Sequence, residues 1–210
     1  MKYFTLIIIF LLFSCEEKKD VLLPKSNVTI VKDVQDHSPI YIFFKTVGKD
    51  TIAEVNRKNS IISTNWILNI DKRLPLKLVI PEVMKLQKKK RDDSAHKNEN
   101  AENYYAYADS IGKNMAFLPF TKVYYTIGEP INAGFTFYFR KGNDIVLVNK
   151  KVEVNKSEVL KYFYQINFAI NPEIVLLFDK NMSYEEYIQN KILVQDLNTF
   201  NDELPKEFIF

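Results

Sequence analysis

Three residue types of a hydrolytic triad stand side by side at Asp36-His37-Ser38. A nucleophilic serine needs a histidine base and a carboxylate that approach from separate positions, because neighbouring side chains do not converge on one proton path. The sequence also contains no G-x-S-x-G segment, the pattern that places a serine on a sharp strand-to-helix turn. We therefore expect His37 to lie in a turn and to have no catalytic role.

Side chains that bind metals are sparse. The two histidines, His37 and His96, are far apart in sequence, and Cys15 is the single cysteine. Zinc sites use three or four His, Cys or carboxylate ligands, so this set predicts no metal and no cofactor. The pairs Asp92-Asp93 and Glu185-Glu186 would suit calcium or acid catalysis. We instead expect solvated faces, since the second pair lies in a predicted first helical turn, where negative charge is stabilised.

Two other groups have a ligand-binding and a structural interpretation. The run Lys88-Lys89-Lys90-Arg91 would gain about 1 kcal/mol per residue near anionic headgroups, or it forms the solvated end of a helix. Tyr104, Tyr105 and Tyr107 would form an aromatic platform for a ligand, or they fill a core. The sequence favours the structural interpretation in both cases.

The N-terminus indicates export to a membrane. Lys2 precedes an apolar run from Phe4 to Phe13, and a helix of ten residues rises only about 15 Å, half the hydrocarbon thickness of a bilayer. Leu12-Phe13-Ser14-Cys15 resembles a bacterial lipobox, although Phe13 is bulkier than is usual there. The resemblance implies removal of a signal peptide, residues 1–14, and acylation of Cys15 with palmitate-like chains. The alternative is an ordinary secretory peptide with an incidental cysteine.

Composition bounds the partners and the source of stability. Net charge is +3, from 29 basic and 26 acidic residues, which is not the balance of a nucleic-acid-binding protein. A content of 47% hydrophobic and 14% aromatic residues supports a substantial core. With its one thiol assigned to lipid, the folded part has no disulfide.

The predicted fold class is α+β or α/β, with two small lobes of the β-β-α-β-α type, of which the first is degenerate. We expect a disordered, lipidated tether over 15–35, an N-terminal lobe over 36–91, a linker and irregular segment over 92–127, and a C-terminal lobe over 128–210. In the first lobe, Ile40–Phe44 and Thr51–Val55 are typical of a hairpin. A helix over 74–91 is ambiguous, because Pro81 would kink or begin it.

The signal is clearer in the second lobe. Phe135, Phe137 and Phe139 alternate before a turn, and Ile174–Phe178 is the continuous apolar run of a covered strand. Two segments have the form of helix capping boxes, Asn155–Glu158 and Ser183–Glu186. A last apolar strand, Phe208–Phe210, gives the order β-β-α-β-α-β.

This order, with Asp179-Lys180 after the covered strand and Ser183-Tyr184 opening a helix, resembles the periplasmic domain of the ExbD/TolR biopolymer-transport family. The match covers about 135–210, a third of the chain. Members of that family carry a spanning helix with a buried carboxylate for proton coupling, whereas this chain has no acid between Phe4 and Phe13. The resemblance therefore implies an envelope-facing module without the proton-linked activity.

A weaker similarity links the two halves. Gly48-x-Asp50 is similar to Gly142-x-Asp144, and Ile70-Asp71-Lys72 is similar to Phe178-Asp179-Lys180. A duplication in which the first copy lacks one helix would explain the unequal spacing, as would chance similarity in a chain rich in Lys and Asn.

These observations favour a non-enzymatic interaction module, lipid-anchored on the periplasmic face or outer membrane of a bacterial envelope. Its partners would be the membrane and an envelope protein or the cell wall. Binding by strand addition is expected at Phe208-Ile209-Phe210, interpreted as an edge strand. The alternative is a lipid-anchored enzyme or solute-binding lipoprotein whose site is built from scattered residues.

Overall fold

The computed structural model describes residues 19–93, 98–131, 134–200 and 204–210. These residues form two sheets and three α-helices, with short 3₁₀ turns at Lys156–Glu158 and Gln195–Thr199. The strands are β1 (Lys25–Ser26), β2 (His37–Val47), β3 (Asp50–Asn56), β4 (Asn65–Ile70), β5 (Asn103–Asp109), β6 (Asn114–Pro119), β7 (Tyr125–Ile127), β8 (Phe135–Phe139), β9 (Ile145–Val148), β10 (Val152–Asn155), β11 (Ile174–Phe178) and β12 (Lys206–Ile209). The helices are α1 (Leu76–Asp92), α2 (Val159–Tyr164) and α3 (Tyr184–Leu193).

Sheet 1 belongs to the first lobe and is mixed. β2 pairs antiparallel with β3 and parallel with β4, β4 pairs parallel with β5, and β6 pairs antiparallel with β5. β5 also pairs parallel with β1 near its carboxyl end. α1 connects β4 to β5, as a parallel crossover requires.

Sheet 2 belongs to the second lobe, in the order β10-β9-β8-β11-β12-β7. β8, β11, β12 and β7 are parallel neighbours, and β9 and β10 extend the sheet antiparallel. α2 lies on the path from β10 to β11, and α3 connects β11 to β12. The order predicted for this lobe is confirmed, with β10 as an additional strand.

The two lobes share one arrangement: a hairpin, a strand parallel to it, a helix and a further parallel strand. Gly48 and Gly142 both turn their hairpins with positive φ, +63° and +62°, the region that glycine adopts without steric cost. The first lobe has only the short turn between β3 and β4 where the second has β10 and α2. The expectation of a first copy that lacks one helix agrees with this topology.

Reciprocal hydrogen bonds join the lobes where α1 and α3 begin. The Leu76 amide donates to the Met182 carbonyl at 2.9 Å, and the Tyr184 amide donates to the Leu74 carbonyl at 2.8 Å. The first amides of a helix have no partner within it, so each lobe supplies acceptors for the other's helix. The two donors, Leu76 and Tyr184, are 108 positions apart in the chain, and so are the two acceptors, at positions 74 and 182. The two helix starts are therefore related by a local twofold arrangement.

A single apolar core continues from one lobe to the other. It contains Ile40 and Ile42 of sheet 1, Val79 and Val83 of α1, and the sheet 2 residues on the facing side. Opposite this core, the other face of sheet 1 carries a smaller cluster of Val34, Ile67, Ala106 and Phe117. The two sheets therefore share one interior, and burial of that interior stabilises the lobes together.

Two predicted boundaries are wrong in the described residues. The tether predicted over 15–35 is already part of sheet 1 at Lys25–Ser26, and Val34 is buried against that sheet. The linker predicted over 92–127 contains β5 and β6 of sheet 1 and β7 of sheet 2. Tyr105 and Tyr107 are fully buried there, because β5 is an internal strand of sheet 1.

Of the two predicted capping boxes, one is confirmed and the other is not. Ser183–Glu186 forms the predicted capping box, with both side chain-to-backbone bonds present. Asn155 caps only a 3₁₀ turn, because its side chain accepts from the Ser157 amide, two residues on, and Glu158 instead pairs with Lys161. α1 continues through Pro81 and begins after Pro75.

Candidate functional site

The triad-like residues do not converge. The His37 ring lies 2.7 Å from the Val34 carbonyl through Nδ1, and the buried Ser38 hydroxyl lies 2.7 Å from the Thr64 hydroxyl. Both residues begin β2 and alternate between the faces of sheet 1. His37 is therefore a strand residue with a local backbone contact, rather than the turn residue expected.

The remaining predicted ligands are dispersed. Glu185 pairs with Lys72 at 3.1 Å and Asp92 pairs with Lys88 at 3.1 Å, while His96 lies outside the described residues. Glu186 is held in the capping box of α3 and accepts from the Gly142 amide at 2.7 Å. Within the described ranges, no three His, Cys, Asp or Glu residues are grouped as a metal site would require. Cys15 also lies outside those ranges.

The expected interaction edge at Phe208, Ile209 and Phe210 is wrong. β12 lies between β11 and β7, so its backbone groups are paired on both sides. The Phe210 amide donates to the Phe178 carbonyl at 3.1 Å, which extends the pairing to the last residue. Phe208 and Phe210 are instead partly buried and pack against the buried side chains of Tyr138, Val175 and Leu177 on one face of sheet 2.

The edge of sheet 2 on this side is β7. The Gly128 amide donates to the Ile209 carbonyl at 2.8 Å, and Thr126 lies opposite Phe208 in the parallel ladder. Along a parallel strand, successive residues direct their backbone amide and carbonyl to opposite sides of the strand. Thr126 and Gly128 direct theirs toward β12, so those of Tyr125 and Ile127 point away from it. Among the described residues, these outward-facing groups of β7 have no backbone hydrogen-bond partner.

A groove of about 680 Å³ runs between this edge and α1. The side chain of Gln87 sets the spacing of its walls, because Nε2 donates to the Val123 carbonyl at 2.9 Å, just before β7. Ile127 is 59% exposed, so its side chain adds apolar surface to the groove. The lining is Pro81, Met84, Lys85, Gln87, Lys88, Arg91, Asp92, Tyr124, Tyr125 and Ile127. We refer to it below as the α1–β7 groove.

The groove lining is net positive, and two of its cations are paired with carboxylates, Lys85 with Glu82 at 2.6 Å and Lys88 with Asp92 at 3.1 Å. Lys85, Lys88 and Arg91 line it from successive turns of α1, and Asp92 is the acidic residue among the lining side chains. The Arg91 guanidinium carbon lies 4.8 Å from the centre of the Tyr124 ring, within the range of a cation–π contact. An apolar floor with a cationic rim fits an extended chain that carries carboxylates.

A buried polar chain lies below the groove and connects the lobes. The Tyr125 hydroxyl is 2.6 Å from that of Tyr105 and 3.1 Å from that of Tyr187. Tyr187 then donates to Glu207 Oε2 at 2.9 Å, and Lys191 forms a buried ion pair with Glu207. These contacts join β5 of sheet 1 to β7, α3 and β12.

The buried phenols are not poised for proton transfer near neutral pH. Burial raises the pKa of each hydroxyl well above its usual value: Tyr105, Tyr125, Tyr184 and Tyr187. Neutral hydroxyls that donate to one another act as structural hydrogen bonds, and the carboxylate at the end of the chain is already paired. This arrangement positions β7.

Lys90 is a second buried cation and directly precedes the groove residue Arg91 on α1. Its ammonium donates to the Thr64 carbonyl at 3.0 Å, the Glu102 carbonyl at 3.2 Å and Asn103 Oδ1 at 2.9 Å. Burial lowers the pKa of Lys90 to about 8. All three ammonium donors have acceptors, so the group ties α1 to β5 and is not available as a nucleophile.

Sequence patterns gave only part of this site. The basic run Lys88–Arg91 was recognised, and it divides between the groove and the buried Lys90. The sequence does not predict Tyr124 and Ile127 as site residues, because only three residues of β7 pair with β12 and their partners lie 82 positions later in the chain. The sequence signal for β7 is the alternation of Val123, Tyr125 and Ile127.

The described residues form an α+β protein of two related lobes with a shared core. No helix among them is both long enough and apolar enough to span a bilayer. No protein-family model matches the chain, and no curated protein or solved structure matches it either.

Proposed function

We propose that the protein is a lipid-anchored, non-enzymatic interaction module of a bacterial envelope. Its α1–β7 groove binds an extended, acidic segment of an envelope protein. The anchor is acylated Cys15, which places the folded part on the periplasmic face or at the outer membrane. The resemblance of the second lobe to ExbD/TolR periplasmic domains supports a role in such protein contacts.

The observation that carries this proposal is the outer side of β7. The backbone groups of Tyr125 and Ile127 point away from β12, next to a groove of about 680 Å³ with an apolar floor. Strand addition uses such an edge: backbone hydrogen bonds give affinity, and pockets for alternate side chains give specificity. Lys85, Lys88 and Arg91 favour a segment with negative charge.

The polar cluster around Tyr125 does not favour the alternative of an enzyme or a solute-binding protein. Its hydroxyls bond to one another and to Glu207, so they have no orientation toward a small molecule. Catalytic groups need a convergent geometry around a site for a reacting atom.

Site-specific photocrosslinking in cells tests the proposal. We expect a benzoylphenylalanine at position 124 to trap an envelope protein, and mass spectrometry to locate the crosslink in an acidic, extended segment. The same group at Ile111, an exposed turn residue of sheet 1, is the control position. The affinity of the protein for a fluorescently labelled synthetic peptide of the trapped segment is then measured by fluorescence anisotropy.

Two substitutions at Ile127 distinguish strand addition from non-specific hydrophobic binding. Ile127→Pro removes the outward amide and leaves the hydrogen bonds of Thr126 and Gly128 to β12, so we expect at least tenfold weaker peptide binding. Ile127→Val keeps the amide and most of the apolar surface and should bind within about twofold of wild type. Equal binding by the two variants would exclude strand addition at β7.

A further inference from the structure

The N-terminal segment is attached to the folded part from the first described residue. Lys19 pairs with Glu54 of β3, and its ammonium lies 5.9 Å from the centre of the Phe43 ring. Lys45 also pairs with Glu54, at 3.2 Å. These contacts fix the beginning of the described chain at the edge of sheet 1 formed by β3.

The residues that follow remain attached to the sheet. The Leu22 amide donates to Asp71 Oδ2 at 3.3 Å, and the Leu22 carbonyl accepts from the Lys72 amide at 2.8 Å. The Pro24 carbonyl accepts from the Ala108 amide at 2.8 Å, where β1 enters the sheet. The residues from Lys19 onward are therefore held against the fold and add no length to the connection with Cys15.

The distance available to an anchor at Cys15 follows from covalent geometry. Lys19 is four positions after Cys15, and a fully extended chain spans at most about 3.6 Å per position, or roughly 14 Å in all. A headgroup layer is about 5–7 Å thick, half the difference between the whole bilayer and its hydrocarbon core. The edge of sheet 1 at Lys19 must then lie at or just above the headgroups.

The surface beside Lys19 is suited to that position. We define the sheet 1 outer face as Tyr41, Val47, Ile52 and Met115, on the side opposite α1, with the buried Phe43 ring beneath Lys19. Ile52 is 39% exposed and Met115 is 45% exposed, and a shallow cavity of about 510 Å³ lies between Met115 and Tyr41. Aromatic rings and lysines around an apolar patch are typical of residues at a membrane interface.

We infer that the sheet 1 outer face lies against the phospholipid surface that holds Cys15, and that the α1–β7 groove faces away from it. The inference rests on the lipid anchor proposed above. It goes further, because an anchor alone leaves the orientation of the folded part free. α1 packs on the opposite face of sheet 1, so one orientation leaves the partner groove open to the periplasm or to the medium.

Single-cysteine labelling of the lipidated protein in vesicles of phosphatidylcholine and phosphatidylglycerol tests the orientation. Ile52→Cys and Met115→Cys carry the environment-sensitive fluorophore NBD on the outer face. Ile170→Cys, a position 86% exposed in the second lobe, is the matched control. We expect soluble iodide to quench NBD at 52 and 115 at least threefold less than at 170. Similar quenching at all three positions would overturn the orientation.

Two further measurements separate the possible failures. The mass of the purified protein is measured before labelling, and an unmodified Cys15 would overturn both the anchor and the orientation. With Cys15 acylated, equal quenching overturns the orientation alone. Insertion of 20 Gly-Ser residues before Lys19 should raise quenching at 52 and 115 toward the value at 170, because the short connection enforces the contact. Unchanged protection in that variant would refute this cause.

Discussion

The Tyr187 hydroxyl donates a hydrogen bond of 2.9 Å to the Glu207 carboxylate in the interior that the two lobes share. One turn earlier on the same helix, the Tyr184 hydroxyl is buried and has no hydrogen-bond partner among the described residues. α3 therefore presents two buried phenols in opposite states. A hydroxyl that bonds a charged acceptor stabilises the fold, whereas one left without a partner costs about 1–3 kcal/mol.

Removal of the Tyr187 hydroxyl should destabilise the fold, whereas removal of the Tyr184 hydroxyl should not. We expect Tyr187→Phe to lower the free energy of unfolding by about 1.5–3 kcal/mol, because the hydrogen bond to a charged group is lost. Tyr184→Phe should leave stability unchanged or raise it by about 1 kcal/mol. Urea denaturation followed by circular dichroism measures both. An equal loss of stability in the two variants would contradict a stabilising role for the hydrogen bond between Tyr187 and Glu207.

The buried pair of Lys191 and Glu207 should respond strongly to loss of one partner. Either Lys191→Met or Glu207→Leu leaves an uncompensated buried charge, so we expect each to cost about 3–5 kcal/mol. The double variant removes both charges and should cost much less than the sum of the single changes. Strict additivity in this double-mutant cycle would contradict a direct interaction.

Asp71 should contribute stability that depends on pH. Burial alone would raise the pKa of Asp71, but hydrogen bonds from the Arg73 guanidinium and from the amides of Arg73 and Leu22 outweigh it, so the pKa lies below its ordinary value of 3.8. The contribution is then complete above pH 3.8 and is lost as the pH falls through the folded-state pKa. We expect Asp71→Asn to cost about 1.5–3 kcal/mol at pH 7. The difference from wild type should shrink below pH 4.

Asp179 is the matched control for Asp71. It follows β11 as Asp71 follows β4, and its Oδ1 accepts from the Asn181 amide at 2.8 Å in the same local turn. No guanidinium bonds to it among the described residues, so Asp179→Asn should cost no more than about 1 kcal/mol. Equal losses at the two positions would assign the effect to the turn and not to Arg73.

Lys90 should make stability rise with pH in the alkaline range. Burial lowers the pKa of Lys90 to about 8 from an ordinary value of 10.5, so the unfolded chain binds more protons between these values. Lys90→Met removes the donor to three oxygen atoms and should cost about 1–3 kcal/mol at pH 7. The stability difference between wild type and variant should grow from pH 8 to 10.5, measured by urea denaturation at each pH. A flat difference would mean that Lys90 keeps its ordinary pKa.

Elements with strong local signals were predictable from the sequence. Ser183 and Glu186 make a capping box from residues three positions apart, and the hairpin of β8 and β9 follows from alternating phenylalanines around Gly142. These features depend on contacts within a few residues, so the neighbouring sequence specifies them.

Other elements depend on residues distant in the chain. β1 is only Lys25–Ser26, and its pairing with Ala108 and Asp109 has no local pattern. β5 is buried on both faces in the middle of sheet 1, so its aromatic run shows no clear alternation. β7 forms the edge of sheet 2, and it precedes the C-terminal lobe predicted over 128–210.

The exchanged amides at the starts of α1 and α3 limit how this polypeptide can be divided. Leu76 and Lys77 donate to Met182 and Lys180, and Tyr184 donates back to Leu74, so a fragment of either half would leave helix-initiating groups without acceptors. Cutting between the halves would also expose the face of each sheet that the other now covers. The smallest portion of the chain worth expressing for biophysical work is therefore both halves together.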